Sequence, residues 1–409
     1  MNILDTLGNK VGVMDQEDGI RILNYQECDK DSPDELKKVR GWVQEIETGK
    51  ILFETFPYTE EYTSCDDIPF FEKDEDILEN WDIFYSLEGC LLRIFWYNDR
   101  WYISTNKKLN AFNSRWSSRK SFGDMFRDSL VSLTGNDNIL ESLLNELDKS
   151  SVHLFLVRYN NENRIVCQMA KDPVEQVYFV GSWNDTTKTL NRDWTYSVKL
   201  NKPQQIKEMS SIKDVVENVD ITTYQGVILF HKTKNLQVKI YATEYNKLYN
   251  IRGNNPNIRF RYVEIRKDAE IKDKFVELYP LYTDVFLEYE NILYQVAKLI
   301  RFYYIQRYIK NKYVTLPKEE YILMKKCHDW YLLNRADNKI NVARVLDILN
   351  NEEPLSLYKM IRRYQINQSN TEQNDVEYPQ SRVSSFDNGR IYNSRPTSII
   401  HTDTPTETD

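Results

Sequence analysis

The stretch from Tyr85 to Phe112, YSLEGCLLRIFWYNDRWYISTNKKLNAF, decides the reading of this chain. An acid and a glycine, Glu88 and Gly89, lead into the apolar run CLLRIFWY; a charged turn at Asn98–Arg100 follows, and a second run ends on Lys107 and Lys108. Two runs rich in β-branched and aromatic residues on either side of a short polar turn predict paired strands. Their open end carries a carboxylate, a glycine and two ammonium groups, the parts from which a ligand cradle is built. Each part also has a plain reading: Gly89 as a turn or bulge at a strand start, and the lysines as a solvated hairpin end.

Outward from this hairpin, residues 1–265 read mostly as strands: KVGVM, GIRILNY, KILFETF, VHLFLVRY, RIVCQM, QVYFVGSW, GVILFHK and LQVKIYAT are bounded by turn residues. Two helices interrupt them, SFGDMFRDSL and NDNILESLLNELDKS, the second with Ile139, Leu140, Leu143, Leu144 and Leu147 at helical spacing. Strand following strand predicts an α+β fold of antiparallel sheets with flanking helices over residues 1–270. From about residue 272 the period becomes helical. A long amphipathic segment breaks near Pro280 and ends before Pro317, and PKEEYILMKKCHDWYLLN, INVARVLDILN and EPLSLYKMIRRY follow as helices. An all-α C-terminal domain is expected at 271–364, and the polar, aperiodic 365–409 reads as a disordered tail.

Composition narrows the class. The chain has 409 residues, 41% hydrophobic, 28 tyrosines and only 12 glycines and 12 prolines, which excludes collagen-like and wholly disordered proteins. A formal charge of −8 argues against indiscriminate polyanion binding, although a local basic groove remains compatible with it. The five cysteines are scattered with no paired spacing, as in a reducing compartment, and the four histidines have no ligand spacing, so no metal site is assigned. No signal peptide and no apolar stretch of about 18 residues is visible, so an intracellular, cytoplasmic protein without a membrane partner is expected.

Three further segments give the hairpin a context. VRGWVQEIETGKILFETFPYTEEY places Arg40–Gly41 ahead of a strand, a Gly49–Lys50 turn and Phe56–Pro57; VHLFLVRYNNENRIV ends on Asn163–Arg164–Ile165–Val166; YQGVILF and LQVKIYATEY come later. In order and spacing these resemble the RNA ligases of the covalent nucleotidyltransferase superfamily, the phage tRNA-repair type above all, over about residues 35–250. The corresponding family patterns are RG…gkIv…FpKFFN, KxDGSL…W…TKGS, FEYvsPxNRIV, EGvVl and KxKtxxY. The resemblance implies ATP, Mg or Mn, and RNA ends as ligands. In that family a lysine amine attacks the α-phosphate to form lysyl–AMP, acids hold the metal, and cations neutralise charge on the phosphates.

Carried over residue by residue, the resemblance gives a depleted site. Gly89 and Glu88 match, but Ser86 occupies the nucleophile's position, Val157 a glutamate's, and Gln225 another glutamate's. Lys239 matches, with its partner falling on Gln237 or Tyr241. Arg40, Asn163, Arg164, Gln225 and Lys239, with Glu88 and Gly89, are therefore the implied nucleotide-binding set, and Lys107 or Lys108 the candidates for a displaced nucleophile. Arg115, Arg119, Arg259 and Arg261, interleaved with aromatic residues, are candidate RNA contacts. Lys298, Arg301, Arg307, Lys310 and Lys312 fringe the long helix, a pattern common on helices without any ligand.

The expected protein is a diverged, non-catalytic nucleotide- or RNA-binding relative of these ligases. An active ligase using a displaced lysine, and a structural or interaction protein using the fold as scaffold, are the alternatives. Richness in Lys, Asn, Ile and Tyr, taken with this type of ligase, suits a large DNA virus or phage.

Overall fold

The computed structural model describes residues 3–68, 77–158, 164–167 and 176–374. These fall into two units, Met1–Tyr282 and Thr283–Asp409. In the first unit a four-stranded sheet runs in sequence order: β1 (Val11–Glu17), β2 (Ile20–Tyr25), β3 (Arg40–Glu45) and β4 (Ile51–Phe53). The remaining strands are β5 (Thr59–Tyr62), β6 (Trp81–Ser86), β7 (Cys90–Tyr97), β8 (Arg100–Ser104), β9 (Val152–Arg158), β10 (Gln176–Asn184), β11 (Thr189–Asn191), β12 (Gln205–Ile206), β13 (Gly226–His231) and β14 (Gln237–Tyr241). They form two five-stranded sheets, ordered β11-β10-β9-β7-β8 and β12-β6-β13-β14-β5. Pairing is antiparallel except between β14 and β5. The α+β class expected from the strand runs is the class observed.

The quoted hairpin is β7–β8, with Tyr97 opposite Arg100. Asn98 and Asp99 both take positive φ, 46° and 58°, the type I′ geometry that matches the twist of the flanking strands. Alternate residues of β7 then serve two cores. Leu92 and Ile94 face the helices, packing with Phe126, Leu130 and Leu143. Phe95 faces β1–β4, packing with Ile22, Val43 and Phe53. Truncating a ring as enclosed as Phe95 would cost about 3–5 kcal/mol. The helix Phe122–Thr134 starts on a capping box between Ser121 and Asp124 and stops at Gly135, whose φ of 68° suits the left-handed C-cap. A third core lies under β6, β13 and β14, where Ile83, Val227 and Leu229 meet Ile212 and Val216.

Some local expectations need correction. KILFETF forms only the three-residue β4, and Arg164–Cys167 of RIVCQM is irregular. The chain after Tyr241 is helical at Thr243–Arg252, Ile258–Ile265 and Ala269–Leu278.

The second unit is helical among the described residues. Its long helix Thr283–Tyr304 buries Phe286, Tyr289, Leu293, Val296, Ala297, Ile300 and Tyr304, a stripe at three- and four-residue spacing, and passes into a π-helical turn at Ile305–Ile309. Lys318–Leu333 begins after Pro317, Val342–Asn350 is capped by Asn341, and Pro354–Asn374 runs beyond residue 364, where the polar composition begins. Residues 375–409 of the expected tail lie outside the described residues. No helix is long and apolar enough to cross a membrane among the described residues.

Candidate functional site

The open end of the β7–β8 hairpin borders a cavity of about 470 Å³, lined by Arg40, Glu88, Gly89, Lys107, Arg158, Arg164 and Gln225 and, on its apolar side, by Trp116, Phe122 and Met125. Glycine is required at two points of this wall. A Cβ on Gly89 would meet the Val157 carbonyl oxygen at 2.7 Å, so only hydrogen lets β7 start this close to β9. Gly41 has φ +67°, and a Cβ there would sit 2.9 Å from Arg93 Nη1.

Glu88, 6% exposed, is the only carboxylate on this wall among the described residues, and its oxygens are occupied. Oε1 accepts from Val166 N at 2.7 Å, Cys167 N at 3.1 Å and the Tyr245 hydroxyl at 2.8 Å; Oε2 accepts from Ile165 N at 3.0 Å. The acid thus anchors the Ile165–Cys167 loop and the start of the Thr243–Arg252 helix. Gln225 fixes the neighbouring strands: its N–H donates to the Ser86 carbonyl at 2.7 Å, and its own carbonyl accepts from Ala242 N at 2.9 Å. Ser86 is buried, and its hydroxyl faces Gln225 Oε1 at 3.4 Å. Val157 is an apolar wall residue. This donor set does not fit a divalent cation, and no metal-ligating group of three acids, histidines or cysteines exists among the described residues.

The cations are less engaged. Arg40 Nη1 donates to the Pro57 carbonyl at 3.0 Å and Thr59 Oγ1 at 2.9 Å, which leaves its other N–H groups without partners among the described residues. Among the described residues Arg158 makes one bond, to the Thr223 carbonyl at 3.3 Å, and Lys107 Nζ makes none. Arg164 is held more firmly, by the Val166 and Leu278 carbonyls and the Tyr279 ring at 4.7 Å. Behind them Arg93, wholly buried, donates to the Gly41 and Thr105 carbonyls, with no carboxylate partner among the described residues. Burial, with Arg40 second, pulls its pKa down to about 9, so it stays charged at neutral pH.

Arg40 and Leu91 also line a second cavity of about 210 Å³ together with Ser86, Glu61, Arg192 and Lys239. Lys239 stands on β14 with Nζ 4.4 Å from the Tyr241 ring, without a hydrogen bond among the described residues. Burial, reinforced by repulsion from Arg40, pushes its ammonium down to about 8 against the opposing pull of Glu61 and Glu88. Gln237 and Tyr241 share its face of β14, and Gln237 Nε2 donates to the Pro57 carbonyl at 2.7 Å; neither supplies a second cation.

The structure therefore brings Arg40, Glu88, Gly89, Lys107, Arg164 and Gln225 to one cavity and Lys239 to the next. Lys108 is elsewhere, 3.5 Å from Asp15. Arg261 caps the Asn250 and Ile251 carbonyls and pairs with Glu264 at 3.2 Å. Arg115 donates to the Arg119 carbonyl at 3.0 Å, and Arg259 lies 5.9 Å from the Tyr282 ring; none of these four arginines lines either cavity. Asn163 lies outside the described residues. Arg158 and Arg192 are site residues that sequence reasoning passed over. Arg158 has a signal, being the one cation that ends the apolar strand VHLFLVR.

No family model matches the sequence. Among solved structures, an archaeal ATP-dependent RNA ligase is similar over 68% of this chain and 70% of its own, with 9% identity and a TM-score of 0.41. A putative ATP-dependent DNA ligase from Aquifex aeolicus is similar over 82% and 88%, with 15% identity and a TM-score of 0.35. For Naegleria gruberi RNA ligase the shares are 50% and 61%, with 10% identity and a TM-score of 0.32. These likenesses are distant. Among curated proteins, the ICP-46 homolog of Invertebrate iridescent virus 6 is 26% identical over 80% of this chain and 76% of its own. The immediate-early protein ICP-46 of Frog virus 3 is 25% identical over 46% and 51%. The counterpart in Invertebrate iridescent virus 3 is 32% identical over 82% of this chain and 75% of its own, and on that match the chain belongs to the family of iridovirus immediate-early ICP-46 proteins.

Proposed function

We propose that the Met1–Tyr282 unit binds a nucleotide of the ATP class by its phosphates in the first cavity, as a diverged relative of the RNA ligases that no longer carries out the lysyl–AMP step. One observation carries the reading: Arg40, Lys107, Arg158 and Arg164 line a cavity whose single described carboxylate, Glu88, is consumed by four donors. Such a wall has an uncompensated positive field suited to phosphate. Trp116, Phe122 and Met125 offer a base an apolar surface. Calorimetry of the full chain with ATP, AMP and adenosine tests this. The reading expects affinity to fall in that order and Arg158→Ala to erase most of the preference for ATP; equal affinity for ATP and adenosine, or no binding at millimolar ATP, would refute it.

A second reading, an active nucleotidyltransferase with a displaced lysine, draws on a specific observation. Lys239, and not Lys108, has its amine beside Arg40 with its pKa pushed down to about 8, close to what a nucleophilic amine needs. Incubation with α-labelled ATP and manganese decides between the two. Label on the protein that survives denaturing electrophoresis and alkali, is released by acid, and disappears in Lys239→Ala would establish the second reading; absence of label alongside ATP binding favours the first.

A further inference from the structure

We infer that the outer face of the long helix Thr283–Tyr304 and its π-helical extension is an interface between two copies of this chain, the paired helices lying antiparallel across a two-fold axis at Lys298. This interface belongs to the helical unit and is independent of the nucleotide site.

The helix has two apolar rows. The inner one is the buried stripe from Phe286 to Tyr304. The other lies on the opposite side, where Leu287, Tyr294, Phe302 and Ile309 are 64%, 42%, 49% and 66% exposed. At 3.6 residues per turn these four fall within an arc of roughly 100°. Their spacing of seven, eight and seven residues is that of a helix-pairing seam. A helix packed on one side only keeps its other face polar.

The outer row is also self-complementary. About Lys298 as centre, Leu287 mirrors Ile309, Asn291 mirrors Ile305 and Tyr294 mirrors Phe302. That is the condition for an isologous contact, in which one residue meets a second on the partner and the second meets the first in return. Lys298 itself has its ammonium 4.6 Å from its own Tyr294 ring, so its stem reaches the axis while its charge lies aside.

Charge follows the same symmetry. Asp284 and Glu288 stand near the start of the helix, and Lys310 and Lys312 just past its end. Within their own chain Asp284, Lys310 and Lys312 have no side-chain partner among the described residues, and Glu288 accepts only from Gln365 Nε2 at 2.8 Å. An antiparallel pair sets the acids of one copy beside the cations of the other, whereas a parallel pair would bring like charges together at both ends. The helix dipole alone favours acids first and cations last. It gives no reason for the exposed apolar row between them.

Sedimentation equilibrium of the full chain across the micromolar range tests the interface. The native chain should dimerise. Leu287→Lys should weaken the dimer at least about tenfold, and Lys298→Leu should tighten it, because a charge leaves the middle of the seam. Two charge reversals complete the test: Asp284→Lys with Glu288→Lys, and Lys310→Glu with Lys312→Glu. Each alone should dimerise at least about tenfold more weakly than the native chain. Mixed in equal amounts they should recover a dimer of one chain of each kind, since every reversed acid then faces a reversed cation; misfolded variants would not be rescued this way. A native chain that stays monomeric, with the row left to a different partner, overturns the interface. So does a dimer indifferent to Leu287→Lys, or a mixture of the two reversals no more associated than either alone.

Discussion

The two units handle their cations differently. In the helical unit, arginine and lysine lie at the surface beside acids: Arg363 bridges Glu319 at 2.9 Å and Glu320 at 2.7 Å, Lys326 reaches Glu352 at 2.7 Å, and Arg344 reaches Asp347 at 2.6 Å. In the sheet unit three arginines are taken out of solvent with no carboxylate partner among the described residues. Arg93 and Arg252 are wholly buried and Arg158 is 5% exposed; carbonyls, hydroxyls and rings are what touch them. Burying an unpaired cation is costly, and a fold that only needed stability would gain by pairing or replacing it. The contrast separates charges that serve the helices' surface from charges that set up a field around a cavity.

The comparison breaks most readily at Glu88. If it is the anchor of the Ile165–Cys167 loop, Glu88→Ala orphans four buried donors and destabilises the chain by about 3 kcal/mol or more, read as a lowered denaturant midpoint. Glu88→Gln, which keeps both positions filled, should lose less. An unchanged midpoint in the alanine variant would return Glu88 to the pool of free ligands and undo the contrast.

Next in size is Arg40→Ala. Its open guanidinium edges serve both cavities, so ATP affinity should fall by a factor of about 10–100 by calorimetry, with a stability change of under about 1 kcal/mol. A large stability loss with unchanged affinity would make Arg40 a scaffold residue like those of the helical unit.

A pH series sharpens the role of Lys239. Its pKa of about 8 in the folded chain lies below the ordinary lysine value of 10.5, so the unfavourable burial of its charge acts fully below pH 8 and is relieved between 8 and 10.5. Lys239→Met should therefore raise Tm at pH 7, by about 2–4 °C for each kcal/mol relieved, and the gain should shrink as pH rises through that window. Bound phosphate favours the ammonium, so ATP affinity of the native chain should decline a few-fold above pH 8, a limb that Lys239→Met removes. A flat native profile would show that the amine does not face the ligand.

The smallest effect belongs to the other side of the comparison. Arg344→Ala, which removes the exposed pair with Asp347, should cost at most about 1 kcal/mol and leave ATP affinity untouched.

What the sequence revealed follows the same division. The Asn98–Asp99 turn, the alternation of β7 and the stripe of the long helix were legible because each is set by neighbours in the chain. The helices Thr243–Arg252 and Ile258–Ile265 were not, since tyrosines spaced for the Tyr241–Tyr245–Tyr249 stack read equally well as strand residues. Order along the chain brought Arg40, Glu88 and Lys239 to neighbouring cavities. It did not reveal that Glu88 would be consumed by backbone donors from Ile165–Cys167, because that depends on a fold-level meeting of residues some 77–79 positions apart. Arg93 was visible in principle: a cation sharing a strand face with Leu91 and Phe95 must be either solvated or built into polar surroundings.

The central claim is that the first cavity holds phosphates with protein cations alone. Its most direct test is ATP calorimetry on the full chain in EDTA and again in excess Mg²⁺. The account predicts binding in EDTA at least as tight as in Mg²⁺, since no free carboxylate on the wall waits for the metal among the described residues and the metal screens the phosphates. Binding that appears only when Mg²⁺ or Mn²⁺ is added would contradict it.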